Sequence, residues 1–325
     1  MPTPTTIAPP ARDAILAWYE EHGRPLAFRR TRDPYAILVS EAMAQQTQAE
    51  RAAAYWERFM EQFPTVEALA AARPATVLRA WQGLGYDRRA LALWRSARII
   101  MDEHGGRVPS DVAALRALPG VGPYTARAVA ALAFGLPVGA VDVNVRRVLG
   151  RIVAGDALAL PTHDLQRVAD DAVPVDRPAA WTHALMDIGA TLCRPRAPRC
   201  ETCPARPWCR LASREPGELV GAHAGGRARR AAPTRRAAPA QAVAAAPARL
   251  PAPPFSSTNR WLRGRILDRL RAAEDGEWVA LDAAIGTHDL GRVRAAATAM
   301  AGDGLLELGS ARDPDATLRA RLPLA

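Results

Sequence analysis

The sequence contains no lysine, so arginine supplies all 43 of its basic residues. Schiff-base catalysis needs a primary amine, and no side chain of this protein offers one. Long apolar runs are also missing, since no stretch reaches the roughly 18 consecutive apolar residues of a membrane-spanning helix. The first ten residues are rich in proline and threonine and lack the apolar core of a secretion signal. We therefore expect a cytoplasmic protein without membrane segments.

Cysteine is scarce and confined to one short segment, where Cys193, Cys200, Cys203 and Cys209 have the spacing C-x6-C-x2-C-x5-C. Four thiolates can bind a tetrahedral zinc ion or the four irons of a [4Fe-4S] cluster. Zinc sites usually contain two short cysteine pairs separated by a longer stretch, whereas this segment has one pair flanked by single cysteines. A reducing compartment disfavours disulfides. We expect a [4Fe-4S] cluster, with zinc as the alternative.

The net charge of +10 and an isoelectric point near 10.5 indicate an acidic polymer as partner, and nucleic acid is the leading candidate. Residues 11–210 show apolar residues three and four apart, with no alternating pattern that would favour a sheet. This periodicity predicts an all-α domain over residues 1–214. At 325 residues, the chain has room for a second domain.

A change of composition marks the domain boundary. Residues 215–258 are rich in proline, alanine, glycine and arginine, which predicts a flexible linker. Residues 259–325 then predict a small domain with a first helix carrying an apolar stripe, further helices at Val279–Ile285 and Asp289–Ala301, and a strand at Leu305–Leu308. This order resembles a winged helix.

A tight hairpin is predicted around Gly120, Val121 and Gly122, between two helices. Its free backbone N–H groups and the positive end of the following helix dipole can bind a phosphate. A glycine pair alone would be a weak indication. Here an isolated acid, Asp142, follows twenty residues after Gly122, and the four cysteines lie further downstream. The combination predicts a contact with the DNA backbone.

Two carboxylates lie in segments of different character. Glu41 interrupts an apolar helix and is followed by Gln45 and Gln46, whose amides can hydrogen-bond to base edges. Asp142 lies at the start of a helix. A helix cap for Asp142 and a solvent-facing position for Glu41 are the simpler alternatives. Together the two residues match N-glycosidic hydrolysis, in which a protonated acid assists the leaving base and a carboxylate stabilises the sugar cation.

These motifs resemble the MutY-type adenine DNA glycosylases of the helix–hairpin–helix, iron–sulfur superfamily. The resemblance runs from about Ala14 to Arg210 and implies a two-lobed fold, in which a six-helix barrel and a cluster lobe enclose a cleft for the flipped base. The motifs occur in the family's order: Ser40-Glu41-x-Met43-x-Gln45-Gln46-Thr47-Gln48, Gly83-Leu84-Gly85-Tyr86, Leu118-Pro119-Gly120-Val121-Gly122, Asp142-x-Asn144-Val145-x-Arg147-Val148 and the cysteine segment.

The resemblance implies that Glu41 protonates adenine at N7 and that Asp142 stabilises the sugar cation as a transient covalent adduct, in a retaining mechanism. Tyr124 and Asn144 would line the same site. Relatives of the endonuclease III type carry a lysine at the position of Tyr124 to cleave the strand. With tyrosine there, and the N-terminal amine as the one remaining primary amine, the resemblance implies a monofunctional enzyme that leaves an abasic site.

The resemblance also implies DNA contacts. Gln45 would read base edges, and Gln46 and Tyr86 would enter the base stack near the lesion, although core packing is the alternative for Tyr86. Phe28 and Arg29 stand where the family has Trp-Arg, so they are expected to form a pocket wall and DNA contact.

Several positions depart from the family. Asp87 replaces the usual second tyrosine, and its charge would repel phosphate. His183 is either a base contact or a helix-surface residue. The strands of the NUDIX-like domain with which many members recognise 8-oxoguanine are not evident, and Phe255-Ser256-Ser257 is not a convincing equivalent of its Phe-Ser-His loop.

We therefore expect a monomeric, nucleoid-associated DNA glycosylase that removes adenine mispaired with 8-oxoguanine or guanine in double-stranded DNA. Two alternatives stay open. One is a mismatch glycosylase that removes thymine or uracil opposite guanine, and the other is a non-catalytic, cluster-bearing DNA-binding protein.

Overall fold

The computed structural model describes residues 6–213, 254–309 and 317–325, and the first of these ranges is helical, as predicted. Short 3-10 turns occur at Ala27–Arg30, Cys200–Thr202 and Arg206–Trp208. Helices α1 to α11 span Pro9–His22, Pro34–Ala44, Ala49–Gln62, Val66–Ala71, Pro74–Ala80, Arg88–His104, Val112–Ala117, Pro123–Phe134, Val143–Ala154, Thr162–Ala172 and Pro178–Thr191.

The helix ends follow from local sequence. Asp33 begins α2 by accepting hydrogen bonds from the backbone N–H groups of Tyr35 (3.1 Å) and Ala36 (3.3 Å), which have no partner within the helix. Helix α8 ends at Gly135, which has φ +67°. Glycine adopts this left-handed conformation with little strain, so it is well suited to ending a helix.

Two buried clusters divide the helices into two lobes. The first lobe contains α2 to α8, and α2 is its most buried helix, in contact with α3, α6 and α8. The second lobe contains α9 to α11, the cysteine segment and also α1, which packs on α11 although it precedes the first lobe in the chain. The predicted two-lobed helix–hairpin–helix fold is confirmed.

The C-terminal region contains helix α12 at Asn259–Ala272 and helix α13 at Leu290–Gly302. Strands β1 (Val279–Ala280), β2 (Glu307–Leu308) and β3 (Arg319–Arg321) form an antiparallel sheet in the order β1-β3-β2.

The predicted helix at Val279–Ile285 is wrong. Its first residues form β1, and the backbone N–H of Leu281 donates to the carbonyl of Leu318 at 2.7 Å. This strand depends on a partner almost forty residues further along the chain, so the local pattern could not reveal it.

The C-terminal region packs directly on the first lobe, and the two share one buried apolar cluster. Arg271 of α12 donates to the Asp87 carboxylate and, at 3.0 Å, to the carbonyl of Leu78. The backbone N–H of Ala75 donates to the carbonyl of Pro323 at 3.0 Å. The predicted linker at residues 215–258 lies outside the described residues except for its last five, of which Phe255–Ser257 form a 3-10 turn. No helix within the described ranges is long and apolar enough to cross a membrane.

Candidate active site

Glu41 lies on the buried helix α2, close enough to Asp142 of the second lobe for the two charges to interact. The residue is only 7% exposed, and burial raises the pKa of its carboxyl to about 7. The Tyr124 hydroxyl and Arg29 oppose this shift, while the negative charge of Asp142 adds to it. A carboxyl with a pKa near 7 is partly protonated at neutral pH and can donate a proton.

Tyr124 stands in the first turn of α8, directly after the hairpin. Its hydroxyl lies 3.8 Å from the sulfur of Met186, which belongs to α11 in the other lobe. Burial raises the pKa of the Tyr124 phenol well above its usual value, and the charges of Glu41 and Asp142 act in the same direction. Tyr124 therefore stays neutral and bridges the two lobes beside Glu41.

Asp142 begins helix α9 in the second lobe. Its Oδ1 accepts hydrogen bonds from the backbone N–H groups of Asn144 (2.9 Å) and Val145 (2.7 Å), and its Oδ2 accepts from the Asn144 side chain (2.9 Å). The helix-cap alternative is thus correct as a description of Asp142. It does not compete with a chemical role, because the charge of Asp142 also acts on Glu41 across the lobes.

Arg29 takes part in a buried ion pair that the sequence did not reveal. Both of its terminal nitrogens bind the carboxylate of Asp187, which is completely buried. Arg24 adds hydrogen bonds to Asp187 from its backbone N–H at 2.9 Å and its Nε at 2.7 Å. Burial acts to raise the pKa of Asp187, but the two arginines outweigh it and lower that pKa. Both terminal nitrogens of Arg29 thus have protein partners, and the expected DNA contact of Arg29 stays a prediction.

His183 lies one turn before Asp187 on α11 and packs against Tyr19, with 6.1 Å between the ring centroids. Burial, with a smaller effect from Arg29, lowers the pKa of His183 to about 3. Its ring is therefore neutral at physiological pH. It is a partly buried residue of the lobe boundary rather than a helix-surface residue.

Gln46 and Tyr86, the two residues predicted to enter the base stack, both adopt left-handed backbone conformations. Gln46 has φ +56° and Tyr86 has φ +51°, values that side-chain-bearing residues rarely adopt. Tyr86 is 42% exposed, which contradicts the core-packing alternative. Strained backbone of this kind is concentrated at functional sites.

Arg89 joins the two segments that carry Gln46 and Tyr86, and sequence reasoning missed it. Its Nη1 donates to the carbonyls of Ala42 (2.8 Å), Met43 (3.2 Å) and Gln45 at the end of α2. Its Nη2 donates to the carbonyl of Gly85 at 2.9 Å. One guanidinium therefore fixes the position of the two exposed loops relative to α2 and Glu41.

The hairpin is built as predicted. Gly120 has φ +77°, and a Cβ there would lie 2.8 Å from the Cβ of Ala92, so glycine is required on two grounds. Gly122 begins helix α8, and Val121 lies partly exposed between the two glycines. Gln45 reaches the hairpin, with its amide nitrogen 3.4 Å from the carbonyl of Gly120. The backbone amides of this turn are well placed to bind a phosphate group.

The cysteine segment encloses a small cavity lined by all four thiols and by apolar side chains including Val148, Ile188 and Leu211. The cysteines are not paired in disulfides. Burial raises the pKa of the Cys203 thiol to about 11. In the described ranges no three His, Cys, Asp or Glu side chains converge as they would around a single metal ion. The lining residues are Cys193, Cys200, Cys203, Cys209, Val148, Arg151, Ile152, Ile188, Leu192, Pro198, Arg199, Arg206, Leu211 and Ala212.

Arg151 is a second functional candidate that the sequence did not single out. It is 6% exposed and donates to the carbonyls of Arg194 (2.7 Å) and Pro195 (3.0 Å), with its Nη1 3.4 Å from the sulfur of Cys193. It fixes the start of the cysteine segment on helix α9.

Comparison with known proteins places this architecture in a family. The family described as "HhH-GPD superfamily base excision DNA repair protein" matches residues 39–165. The protein is similar to an adenine DNA glycosylase of Mycolicibacterium smegmatis, with 42% identity over 259 residues that cover 79% of each chain. An adenine DNA glycosylase of Homo sapiens is 40% identical over 215 residues, which cover 62% of this chain and 39% of the human protein.

Solved structures show a similar fold. A thermostable thymine-DNA glycosylase matches with a TM-score of 0.59 and 32% identity, covering 62% of this chain and 94% of that chain. A trapped endonuclease III–DNA covalent intermediate matches with a TM-score of 0.54 over 62% of this chain and 93% of that chain, and its 24% identity supports the fold alone. From the identity and coverage of its relatives, we conclude that the chain belongs to the adenine DNA glycosylase family of the helix–hairpin–helix base excision DNA repair superfamily.

Proposed function

We propose that this protein hydrolyses the N-glycosidic bond of adenine mispaired with 8-oxoguanine or guanine in double-stranded DNA. The observation that carries the proposal is the pair formed by Glu41 and Asp142. Glu41 is buried with a pKa near 7, while Asp142 lies in the opposite lobe with N–H donors around its carboxyl oxygens. One fold thus brings a proton donor and a carboxylate close enough for their charges to interact.

The proposed chemistry separates the two carboxylates by role. Glu41 donates a proton to N7 of adenine, the glycosidic electron pair leaves with the base, and positive charge develops on the sugar. Asp142 stabilises this cation through a transient covalent adduct, which water then hydrolyses with retention. Tyr124 and Asn144 support these steps, since Tyr124 lies beside Glu41 and Asn144 donates to Asp142.

The same proposal makes the enzyme monofunctional. A strand-cleaving relative needs a lysine amine for a Schiff base, and this sequence has no lysine. The products are therefore free adenine and an abasic site in an otherwise intact strand. We further propose that the protein acts as a monomer in the cytoplasm, associated with the nucleoid.

We also infer that Cys193, Cys200, Cys203 and Cys209 hold a [4Fe-4S] cluster. A cluster of this kind attaches each thiolate to a different iron, so its sulfur ligands lie farther apart than those of a single zinc ion. The structure supports the inference because all four thiols line one cavity, which matches the four ligands that the cluster needs. The cluster would serve as a structural centre that holds the cysteine segment in shape.

Single-turnover base release tests the proposed function. Duplexes carrying adenine opposite 8-oxoguanine, adenine opposite guanine, thymine opposite guanine and uracil opposite guanine are incubated with excess protein, and mild alkali then reveals abasic sites. We expect adenine release, fastest opposite 8-oxoguanine. Release of thymine or uracil instead would support the alternative of a mismatch glycosylase, and one of the similar solved structures is named as a thymine-DNA glycosylase. No release from any duplex would support a non-catalytic binding protein.

A further inference from the structure

The C-terminal region and the first lobe together form a groove with a volume of about 790 Å³. One wall is helix α12, and the other wall is formed by the two strained loops at Gln45–Gln46 and Gly83–Asp87. Gln46 and Tyr86, the residues that the family resemblance assigns to the base stack, therefore face a surface that belongs to the C-terminal region.

The groove is positively charged and partly aromatic. Six arginine and two aspartate side chains line it, and Asp87 is already neutralised by Arg271 from α12. Phe255 at its edge is 61% exposed. Arginine side chains attract phosphates, and exposed aromatic and guanidinium planes stack on bases.

Arg260 of α12 makes the most specific contact across the groove. Its guanidinium lies over the Tyr86 ring, 4.4 Å from the ring centroid, and its Nη1 donates to the Tyr86 hydroxyl at 3.2 Å. Arg89 approaches the same ring at 5.5 Å. Cations over an aromatic face stabilise its orientation. Tyr86 is thus oriented by one arginine from each part of the chain.

Buried contacts fix α12 in the position from which Arg260 reaches Tyr86. The side chains of Arg271 and Asp87 are only 5% and 15% exposed, and Arg79 donates to the carbonyl of Ala273 at 2.9 Å as well as to Asp275. Asp87 is therefore a docking residue for α12. Its expected repulsion of phosphate is cancelled, which corrects the expectation drawn from the sequence.

The groove lies beside the hairpin. Gln45 joins the two, because its amide nitrogen is 3.4 Å from the carbonyl of Gly120 and its side chain also lines the groove. The groove therefore adjoins the predicted contact with the DNA backbone.

We propose that Arg260, from the C-terminal region, is a positioning residue that holds Tyr86 where it enters the duplex, and that the groove around this pair binds the DNA next to the target base. The proposal rests on the proposed function and deepens it, since it assigns a residue of the C-terminal region a part in holding Tyr86 against the DNA.

A product-like duplex tests the groove without requiring catalysis. The duplex carries a tetrahydrofuran abasic analogue opposite guanine, with 2-aminopurine next to that guanine in the complementary strand. Binding to the full chain is followed by fluorescence anisotropy, and unstacking of the complementary strand is followed by 2-aminopurine emission. Because this duplex has no adenine to release, its result is independent of the base-release assay.

Arg260→Ala should weaken binding about tenfold, the effect of losing one stacking contact, and should remove most of the increase in 2-aminopurine emission. The matched control is Arg269→Ala, which removes an exposed arginine from the same helix outside the groove and should change neither readout. Arg260→Lys keeps a cation near the ring and should recover part of the emission increase.

The proposal is overturned if Arg260→Ala binds the duplex and unstacks 2-aminopurine as the wild type does. It is also overturned if Arg269→Ala lowers DNA affinity and 2-aminopurine emission as much as Arg260→Ala does. General charge attraction would then explain both effects. The thermal unfolding temperature of each variant should equal that of the wild type, since both arginines are exposed.

Discussion

Arg29 donates from both terminal nitrogens to the Asp187 carboxylate, at 2.7 Å to Oδ2 and 2.8 Å to Oδ1, across 158 residues of sequence. Asp187 belongs to α11 in the second lobe, whereas Arg29 lies in the turn that leads into α2 of the first lobe. The pair therefore connects the two lobes. Arg29 also brings positive charge near Glu41, where it opposes the rise in pKa that burial causes.

Asp187→Asn should lower the free energy of unfolding by about 3 to 5 kcal/mol, because it leaves a buried guanidinium without a counter-charge. Urea denaturation at neutral pH measures the change. The matched control is Glu57→Gln, which removes an exposed partner 3.7 Å from Arg30 and should cost less than about 1 kcal/mol. Equal effects of the two substitutions would contradict a structural role for the Asp187 site.

Glu41→Gln should abolish most base release while stabilising the fold at high pH. The folded pKa of about 7 lies above the ordinary value of 4.5, so the stability associated with neutral Glu41 is complete below pH 4.5 and is lost as pH rises through 7. Glutamine never ionises. The variant should match the wild type near pH 4 and exceed it by up to about 3 kcal/mol near pH 8.

Denaturation at several pH values measures this difference, with Glu103→Gln, at an exposed position on α6, as a control that should show none of it. In the wild type, base release should fall as pH rises above 7, because the proton on Glu41 is lost. We expect Glu41→Gln to slow release by about 100-fold or more. A pH-independent stability difference would contradict the buried, titrating position of Glu41.

Asp142→Asn should reduce base release by orders of magnitude and leave DNA affinity within a few fold. Asparagine keeps the helix cap of α9, so the unfolding temperature should stay close to that of the wild type. Single-turnover release and anisotropy measure the two effects. Asp111→Asn alters an equivalent cap on α7, where Asp111 accepts from the N–H of Ala114 at 2.8 Å, and should leave release unchanged. Near-normal turnover in Asp142→Asn would refute the assigned mechanism.

Cys203→Ser should lower the iron content and the brown colour of the purified protein, together with its unfolding temperature. Wild-type protein should contain about four irons per chain. Iron and zinc analysis with absorbance spectroscopy measures this. Thr202→Ala changes an exposed residue of the same segment and should retain full iron content. A colourless, active wild-type protein that contains zinc would overturn the cluster assignment.

Arg271→Met should loosen the C-terminal region from the first lobe, because it leaves the partly buried Asp87 without its partner. We expect a loss of about 3 kcal/mol in the free energy of unfolding, and faster amide hydrogen exchange in α12 than in α8. Asp275→Asn removes the more exposed partner of Arg79 and should cost less than about 1 kcal/mol. Unchanged exchange in α12 would show that other contacts hold the region in place.

The helices, the hairpin and the cysteine segment were predictable because each depends on residues that lie close together in the sequence. Apolar spacing predicts α1 to α11, since a helix closes its hydrogen bonds within four residues. The hairpin at Gly120–Gly122 and the cysteine segment follow from residue types at fixed short spacings. The resemblance further named Glu41 and Asp142, and their assigned roles are still predictions.

Tertiary structure decided what depends on distant partners. Strand β1 needs β3, so the local sequence of Val279–Ile285 misleadingly predicts a helix. In the sequence, Asp187 and Arg89 look like ordinary helix residues. Folding brings Arg29 to Asp187, and it brings the carbonyls of Ala42 and Gly85 to Arg89. From the sequence, Asp87 is expected to repel DNA. In the fold, Arg271, 184 residues further along the chain, pairs with its charge. The sequence determined helices α1 to α11 and the residue types available for chemistry. Folding determined the pairs, because burial and charge compensation act only between side chains that packing brings into contact.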